Sequence, residues 1–284
     1  PNVNMLFGAS SYEYILSPLQ PSSTARKLND GCWYESHNSA LMIDGSARTE
    51  IFHKSKLVVA VEKTPYPALF CKIDDMLGGV MGRCVGQPEI SLLHAGETPI
   101  GCAVCYESVY GEYYTDYVNK GAQAMAIITN DAWWGNTPGY RQHLSYASLR
   151  AIETRRGVAR SANTGISGFI SPRGEVIGER LKWDERGVLT EDVELRNDVT
   201  FYMMYGDWVA RIATYIAAMA LLYYVAYRTK RRNHLVDQQL QIIVGYDLHI
   251  IRHLDHRLRA DDYFAALAQP VHMLERSCRQ CFID

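Results

Sequence analysis

The sequence predicts an α/β protein, a layered sandwich around a mainly central sheet, followed by a transmembrane helix. Three observations carry this. Apolar runs of strand length recur between residues 4 and 171, two intervening stretches carry apolar residues at helical spacing, and residues 208–227 are apolar with one interruption.

Residues 4–11 read as a buried strand, and residues 38–44 as its neighbour ending at the Asp44-Gly45 turn; a polar loop with Pro18, Pro21 and several serines lies between. Residues 50–62 alternate again, then stop at Lys63-Thr64-Pro65-Tyr66-Pro67, where two prolines prevent continued sheet. Residues 89–94 and 99–105 make two more strands around the Ala95-Gly96-Glu97 turn. Tyr110, Tyr113, Tyr114, Tyr117 and Val118 then follow the i, i+3, i+4, i+7, i+8 pattern of an amphipathic helix, with Gly121 as its stop. Residues 124–129 are a further strand, 141–156 a second helix closed by Gly157, and 158–162 and 167–171 two strands with a Pro172-Arg173-Gly174 turn.

At about 1.5 Å per residue, the segment 208–227 reaches roughly the 30 Å of a bilayer core. The alternative is a buried helix of the globular domain, since Arg211 shortens the uncharged run. Aromatics at both ends (Tyr202, Tyr205 and Trp208; Tyr223, Tyr224 and Tyr227) and the basic cluster Arg228-Thr229-Lys230-Arg231-Arg232 favour a membrane span. The positive-inside rule puts that cluster in the cytoplasm and residues 1–205 on the outer side. The chain thus divides into a globular domain at 1–205, a membrane helix at 206–228 and a tail at 229–284 to which no role is assigned.

With 284 residues, 48% hydrophobic, and a net charge of -2, the chain has ample core and no electrostatic footprint for nucleic acid. Its start, Pro1-Asn2-Val3-Asn4, is neither a methionine nor a signal peptide, so it reads as part of a longer protein. Seven cysteines, at 32, 71, 84, 102, 105, 278 and 281, form no evident disulfide framework. A zinc site from the pairs Cys102/Cys105 and Cys278/Cys281 is disfavoured: residues three apart on a strand point to opposite faces. His249, His253 and His256 share one possible helix face, where solvated or core histidines are the simpler reading. No metal or other cofactor is expected.

The residue around which chemistry can be built is Cys105, which ends an apolar run and precedes an aromatic and an acid. A free thiol titrates near about 8.5, so a nucleophilic role needs a base or a positive field beside it. Part of that field comes from the N-terminus of the following helix. An inert buried thiol is the competing reading. Lys54 among apolar strand positions, Glu62, and the loop Thr129-Asn130-Asp131-Ala132-Trp133-Trp134-Gly135 at another strand end point instead to a site, although a lone lysine in a strand also faces solvent readily.

These motifs carry a resemblance. His53-Lys54-Ser55-Lys56-Leu57-Val58, Cys105-Tyr106-Glu107, Asn130-Asp131-Ala132-Trp133-Trp134-Gly135, Arg150-Ala151-Ile152-Glu153 and Arg160-Ser161-Ala162-Asn163-Thr164-Gly165-Ile166-Ser167, in that order and with the closing apolar helix, are similar to the apolipoprotein N-acyltransferases of the carbon-nitrogen hydrolase (nitrilase) superfamily. The resemblance covers residues 1 to about 230. It implies a nitrilase-like α-β-β-α sandwich, incomplete at its N-terminus. It also makes Cys105 the nucleophile, Lys54 a lysine that holds the developing oxyanion together with the backbone N–H of Tyr106, and Glu62 a further acid at the site. Tyr106, Glu107 and Trp133 are implied at the substrate, with Trp133 lining an acyl pocket or simply packing.

Two departures qualify it. The family pattern Leu-Val-Pro-Phe-Gly-Glu is here Leu57-Val58-Val59-Ala60-Val61-Glu62, keeping the acid without the proline and glycine. The family's general-base glutamate belongs to a strand before residue 4, so it is expected upstream of Pro1, and the chain alone is expected to be inactive. The implied reaction moves an acyl chain from a membrane phospholipid, through a Cys105 thioester, to the α-amine of a diacylglyceryl-modified apolipoprotein. Its implied place is the bacterial inner membrane, with the catalytic domain on the periplasmic side. A membrane-tethered amidase that passes its acyl group to water, and a non-catalytic interaction module, are the alternatives.

Overall fold

The computed structural model describes residues 3–15, 22–29, 31–45, 49–78 and 81–254, with side chains to residue 245. The described part of the tail is helix; residues 255–284, including Cys278, Cys281 and His256, lie outside the described residues, as do the side chains of His249 and His253.

Two sheets form the first unit, which ends at Trp208. In the first, β1 (Met5–Ile15) runs antiparallel to β3 (Trp33–Ile43) over its whole length, while the short β2 (Arg26–Lys27) and β4 (Thr49–His53) pair with opposite ends of β3. The alternation expected over residues 50–62 makes a strand only as far as His53. Beyond it the chain folds into tight turns and then α1 (Pro67–Met76), with Pro67 in the first turn, where a missing N–H costs nothing.

The second sheet has the order β10-β9-β8-β7-β6-β5. A hairpin turning at Gly96, φ +66°, joins β5 (Leu93–Ala95) to β6 (Thr98–Val104). Crossovers through α2 (Gly111–Asn119) and α3 (Gly139–Thr154) then place β7 (Ala124–Asn130) and β8 (Val158–Asn163) parallel to β6. The sheet finishes with β9 (Ser167–Ile170) and β10 (Val176–Leu181), antiparallel across the Pro172–Gly174 turn. The near-continuous apolar runs of β6 and β7 suit strands buried on both faces.

The sheets face one another. At Gly8 an added Cβ would stand 3.0 Å from the Ile128 side chain, so β1 lies close on β7. Ala40, Met42 and Phe52 of the first sheet share one core with Leu93, Cys102, Val104 and Ile127 of the second, and with Tyr114, Tyr117, Ala147 and Ala151 of α2 and α3. Met203 of the short α4 (Phe201–Tyr205) joins them. Layered α/β architecture is therefore present as expected.

The second unit begins at Val209. The helix α5 runs from Trp208 to Leu254 without a break, continuing past the basic cluster at 228–232. It contains a stretch long and apolar enough to cross a membrane, and none of that stretch is buried. At about 1.5 Å per residue the whole helix is more than twice as long as a bilayer core is thick.

Candidate active site

The parallel strands deliver the site at their carboxyl ends. Val104 pairs with Ile128, so the segments following β6 and β7 leave the sheet side by side. One is the 3-10 turn Cys105–Val109; the other is the 3-10 turn Asp131–Trp134.

Cys105 stands at the start of its turn with φ +56°. This left-handed conformation costs a non-glycine residue about 1–3 kcal/mol and persists only where neighbours enforce it. Here Ser108 Oγ donates to the Cys105 carbonyl at 3.0 Å, and Glu107 Oε2 accepts the Val104 N–H at 2.9 Å. The kink takes Cys105 out of the strand's alternation. It is half-buried, whereas Cys102 is fully buried in the core and burial pushes its thiol far above the ordinary range.

Lys54 follows β4 directly, and its N–H donates to the Asn38 carbonyl at 2.7 Å. Its side chain is fully buried, and Nζ donates to both oxygens of Glu62 at 2.8 Å each. Glu62 also accepts the Val58 N–H at 2.7 Å and Asn38 Nδ2 at 2.8 Å. Residues 54–62 thus close into a loop around one carboxylate, which is why the strand predicted to reach Glu62 stops at His53. Ala60 takes φ +71° within this loop. The segment after α1 backs it: Cys84 N–H donates to the Glu62 carbonyl at 2.7 Å, and a Cβ at Gly82 would collide with the Val61 carbonyl.

Glu107 joins the two halves. Its buried Oε1 accepts the backbone N–H groups of Ser55 (2.7 Å) and Lys56 (3.0 Å) and the Tyr113 hydroxyl (2.8 Å). Burial raises its carboxyl above the usual range, opposed by hydrogen bonds from Lys56, Val104, Tyr113 and Ser55. The Glu107 oxygens serve backbone and tyrosine donors, tying the Cys105 turn to the residues just after Lys54. Tyr106 is half-buried, with its ring edge-on to Tyr110 at 6.0 Å and tilted to His143 at 6.4 Å. Trp133 is 78% exposed. Trp134 lies against Gly139, where a Cβ would overlap its ring.

Three residues to which the sequence reading gave no role bury a polar network beside the Cys105 turn. Asp131 Oδ1 is 2.9 Å from His143 Nδ1, and Arg160 Nη2 donates to Asp131 Oδ2 at 2.6 Å. Burial pushes the Asp131 carboxyl up, but the hydrogen bond with His143 and the Arg160 charge outweigh it and hold it below the usual range. The signal for His143 was in the sequence: Tyr140, His143, Leu144, Ala147, Arg150, Ala151 and Thr154 form the buried stripe of α3. Among the described residues no cluster of three histidine, cysteine or acidic side chains is placed to hold a metal.

Cys105, held in a left-handed turn at the end of a parallel strand, is tied through Glu107 to the residues that follow Lys54, whose side chain is paired with Glu62; such an arrangement can present a thiol for nucleophilic chemistry. The family model "Carbon-nitrogen hydrolase" matches residues 19–199, and the chain belongs to that family. Among curated proteins it is similar to the apolipoprotein N-acyltransferase of Chlorobaculum tepidum, 31% identical over 201 residues that make up 68% of this chain and 37% of that protein. It is likewise similar to that of Thermotoga maritima, 28% identical over 215 residues, 73% of this chain and 42% of that one. The chain therefore spans less than half the length of these relatives. Among solved structures, an amidase from Nesterenkonia aligns at TM-score 0.43 and 16% identity, covering 63% of this chain and 61% of that one. A nitrilase-superfamily protein of Saccharomyces cerevisiae aligns at TM-score 0.40 and 15% identity, covering 54% and 51%.

Proposed function

We propose that this chain carries the catalytic machinery of an apolipoprotein N-acyltransferase, with Cys105 as nucleophile, Lys54 as oxyanion donor and Glu62 as its anchor. The observation that carries the reading is the Cys105 turn, strained at φ +56° and linked through Glu107 to the Lys54 loop. The similarity to curated acyltransferases supports the substrate class. The apolar helix α5 supports substrates confined to a bilayer.

In this reading the Cys105 proton passes to a glutamate that the resemblance assigns to a strand before β1. The thiolate attacks the ester carbonyl of a phospholipid, forming a C–S bond. The C–O bond breaks, and the lysophospholipid leaves with the proton as an alcohol. The Lys54 ammonium has three N–H donors; two are held by Glu62, and the third is available to the oxyanion with the Tyr106 N–H. The α-amine of a diacylglyceryl-cysteine then attacks the thioester, forming C–N and breaking C–S, and the proton that the amine loses passes through the same glutamate to the departing thiolate, restoring the Cys105 thiol. Trp133, exposed at the neighbouring strand end, lines the acyl path. Glu107 and Tyr106 shape the site, Glu107 by positioning rather than by touching substrate.

The domain reading goes with it: residues 1–205 as a carbon-nitrogen hydrolase domain, 206–228 as the membrane segment, and 229–284 as a cytoplasmic tail. The catalytic domain faces the periplasm across a bacterial inner membrane.

The test supplies the full-length protein with phospholipid bearing a labelled acyl chain and a diacylglyceryl-cysteine peptide. Label on the peptide amine supports the reading. Label released as free acid at the same rate with and without peptide identifies a hydrolase and overturns it.

A further inference from the structure

We propose that His143 is a positioning residue that holds the Cys105 turn in its reactive conformation, a role that rests on Cys105 being the nucleophile. His143 is 2% exposed in the side chain and reaches Cys105 from a different element, α3. Its Nε2 lies 3.2 Å from the Cys105 carbonyl oxygen and 3.0 Å from Ser108 Oγ. Its Nδ1 lies 2.9 Å from Asp131 Oδ1, on the turn that follows β7.

The ring has little freedom in this setting. Asp131 is fully buried and is itself fixed by the Thr129 hydroxyl at 2.8 Å and by Arg160 Nη2 at 2.6 Å. Arg160 in turn donates Nε to the Ile166 carbonyl at 3.1 Å. The Asp131 carboxylate fixes the orientation of the imidazole by taking the Nδ1 proton, and Nε2 donates to its target when the ring carries both protons, since a carbonyl only accepts. The target here is the carbonyl of a residue in strained left-handed geometry. That carbonyl also takes the Ser108 hydroxyl at 3.0 Å, so two side chains converge on the one peptide unit whose rotation would turn Cys105 back toward the strand. The network thus links β8, the turn after β7 and α3 to the nucleophile's backbone.

This arrangement does more than stabilise the fold. If the Cys105 turn relaxed, the thiol would shift relative to Lys54, and misplacement of a reacting atom by about 1 Å costs on the order of 10²-fold in rate. Binding of lipid, made elsewhere, would be spared. Positioning therefore predicts a loss in kcat with KM unchanged, and a thiol whose reactivity toward a small alkylating agent falls as well.

Two substitutions separate positioning from mere packing. An asparagine amide mimics the Nδ1 side of the ring and can keep Asp131, but it falls short of Cys105. A glutamine amide mimics the Nε2 side and can reach the Cys105 carbonyl. In the full-length protein, His143→Asn is expected to slow alkylation of Cys105 by iodoacetamide several-fold and to lower the acyl-transfer kcat by about 10²-fold, with KM for phospholipid unchanged. His143→Gln is expected to recover much of both rates. Wild-type rates in folded His143→Asn overturn the proposal. So do equal losses in the two variants, or failure of both to fold, since each leaves only a structural role. Alkylation needs no lipid, so the readings fail separately. A wild-type protein that forms no acyl-enzyme, but whose variants still alkylate in this order, contradicts the acyl-transfer reading and leaves the positioning role intact.

Discussion

The Glu107 carboxylate accepts the backbone N–H of Ser55 at 2.7 Å, joining the residue after Lys54 to the turn that begins at Cys105. A buried carboxylate with several donors is costly to disturb, because each N–H it serves would be left unsatisfied. Glu107→Gln keeps the shape but turns an amide NH2 toward donors. It is expected to destabilise the fold by about 2–4 kcal/mol, read from urea unfolding, and to abolish acylation of Cys105.

Lys54 and Glu62 permit stability and chemistry to be separated. Lys54→Met leaves Glu62 without its cation in a largely buried loop, and breaking one side of such a pair costs about 3–5 kcal/mol. The double variant Lys54→Met/Glu62→Gln removes the unpaired charge and is expected to regain most of that stability while staying inactive. Unfolding curves paired with acyl-transfer rates check it; recovery of activity in the double variant would remove Lys54 from the chemistry.

Asp131 sets a pH dependence. Its carboxyl is held below the ordinary value in the fold, so the unfolded chain binds the proton more readily there. Stability from this group is full above the unfolded value of about 3.9 and is lost as pH falls through the lower folded value. Unfolding free energy measured from pH 5 downward is expected to fall below about pH 4, and Asp131→Asn, less stable throughout, is expected to show a flatter acid limb.

Trp133 is expected to behave in the opposite way to the buried residues. Being 78% exposed, it can be replaced by alanine with a stability change within about 0.5 kcal/mol. If it lines the acyl path, KM rises for long-chain donors and less for short-chain ones. An unchanged chain-length profile would leave it a surface aromatic.

How far the sequence could be read follows from how local each feature is. The Cys105 turn was visible because an apolar run stopped at a cysteine before polar, helix-spaced residues. The strands β1, β3, β6, β7 and β8 and the helices α2 and α3 were visible for the same kind of reason. Residues 50–62 misled because alternation is also produced by a loop that wraps its own glutamate, and only the fold shows Lys54 and Glu62 paired. Pro67 breaks a sheet and equally begins a helix, so its presence alone does not distinguish the end of a strand from the first turn of α1. The second helix was expected to close at Gly157; Arg155 closes it instead, at φ +52°. Asp131, His143 and Arg160 come together only across the turn after β7, α3 and β8, so the periodicity of α3 marks His143 as buried but no local pattern announces its partners.

Intact-mass analysis of the full-length protein after brief exposure to phospholipid tests the proposed chemistry most directly. One acyl chain should appear, localise by peptide mapping to Cys105, release with neutral hydroxylamine as a thioester does, and be absent from Cys105→Ala. An acyl group on any other residue, or one that persists in Cys105→Ala, would contradict it.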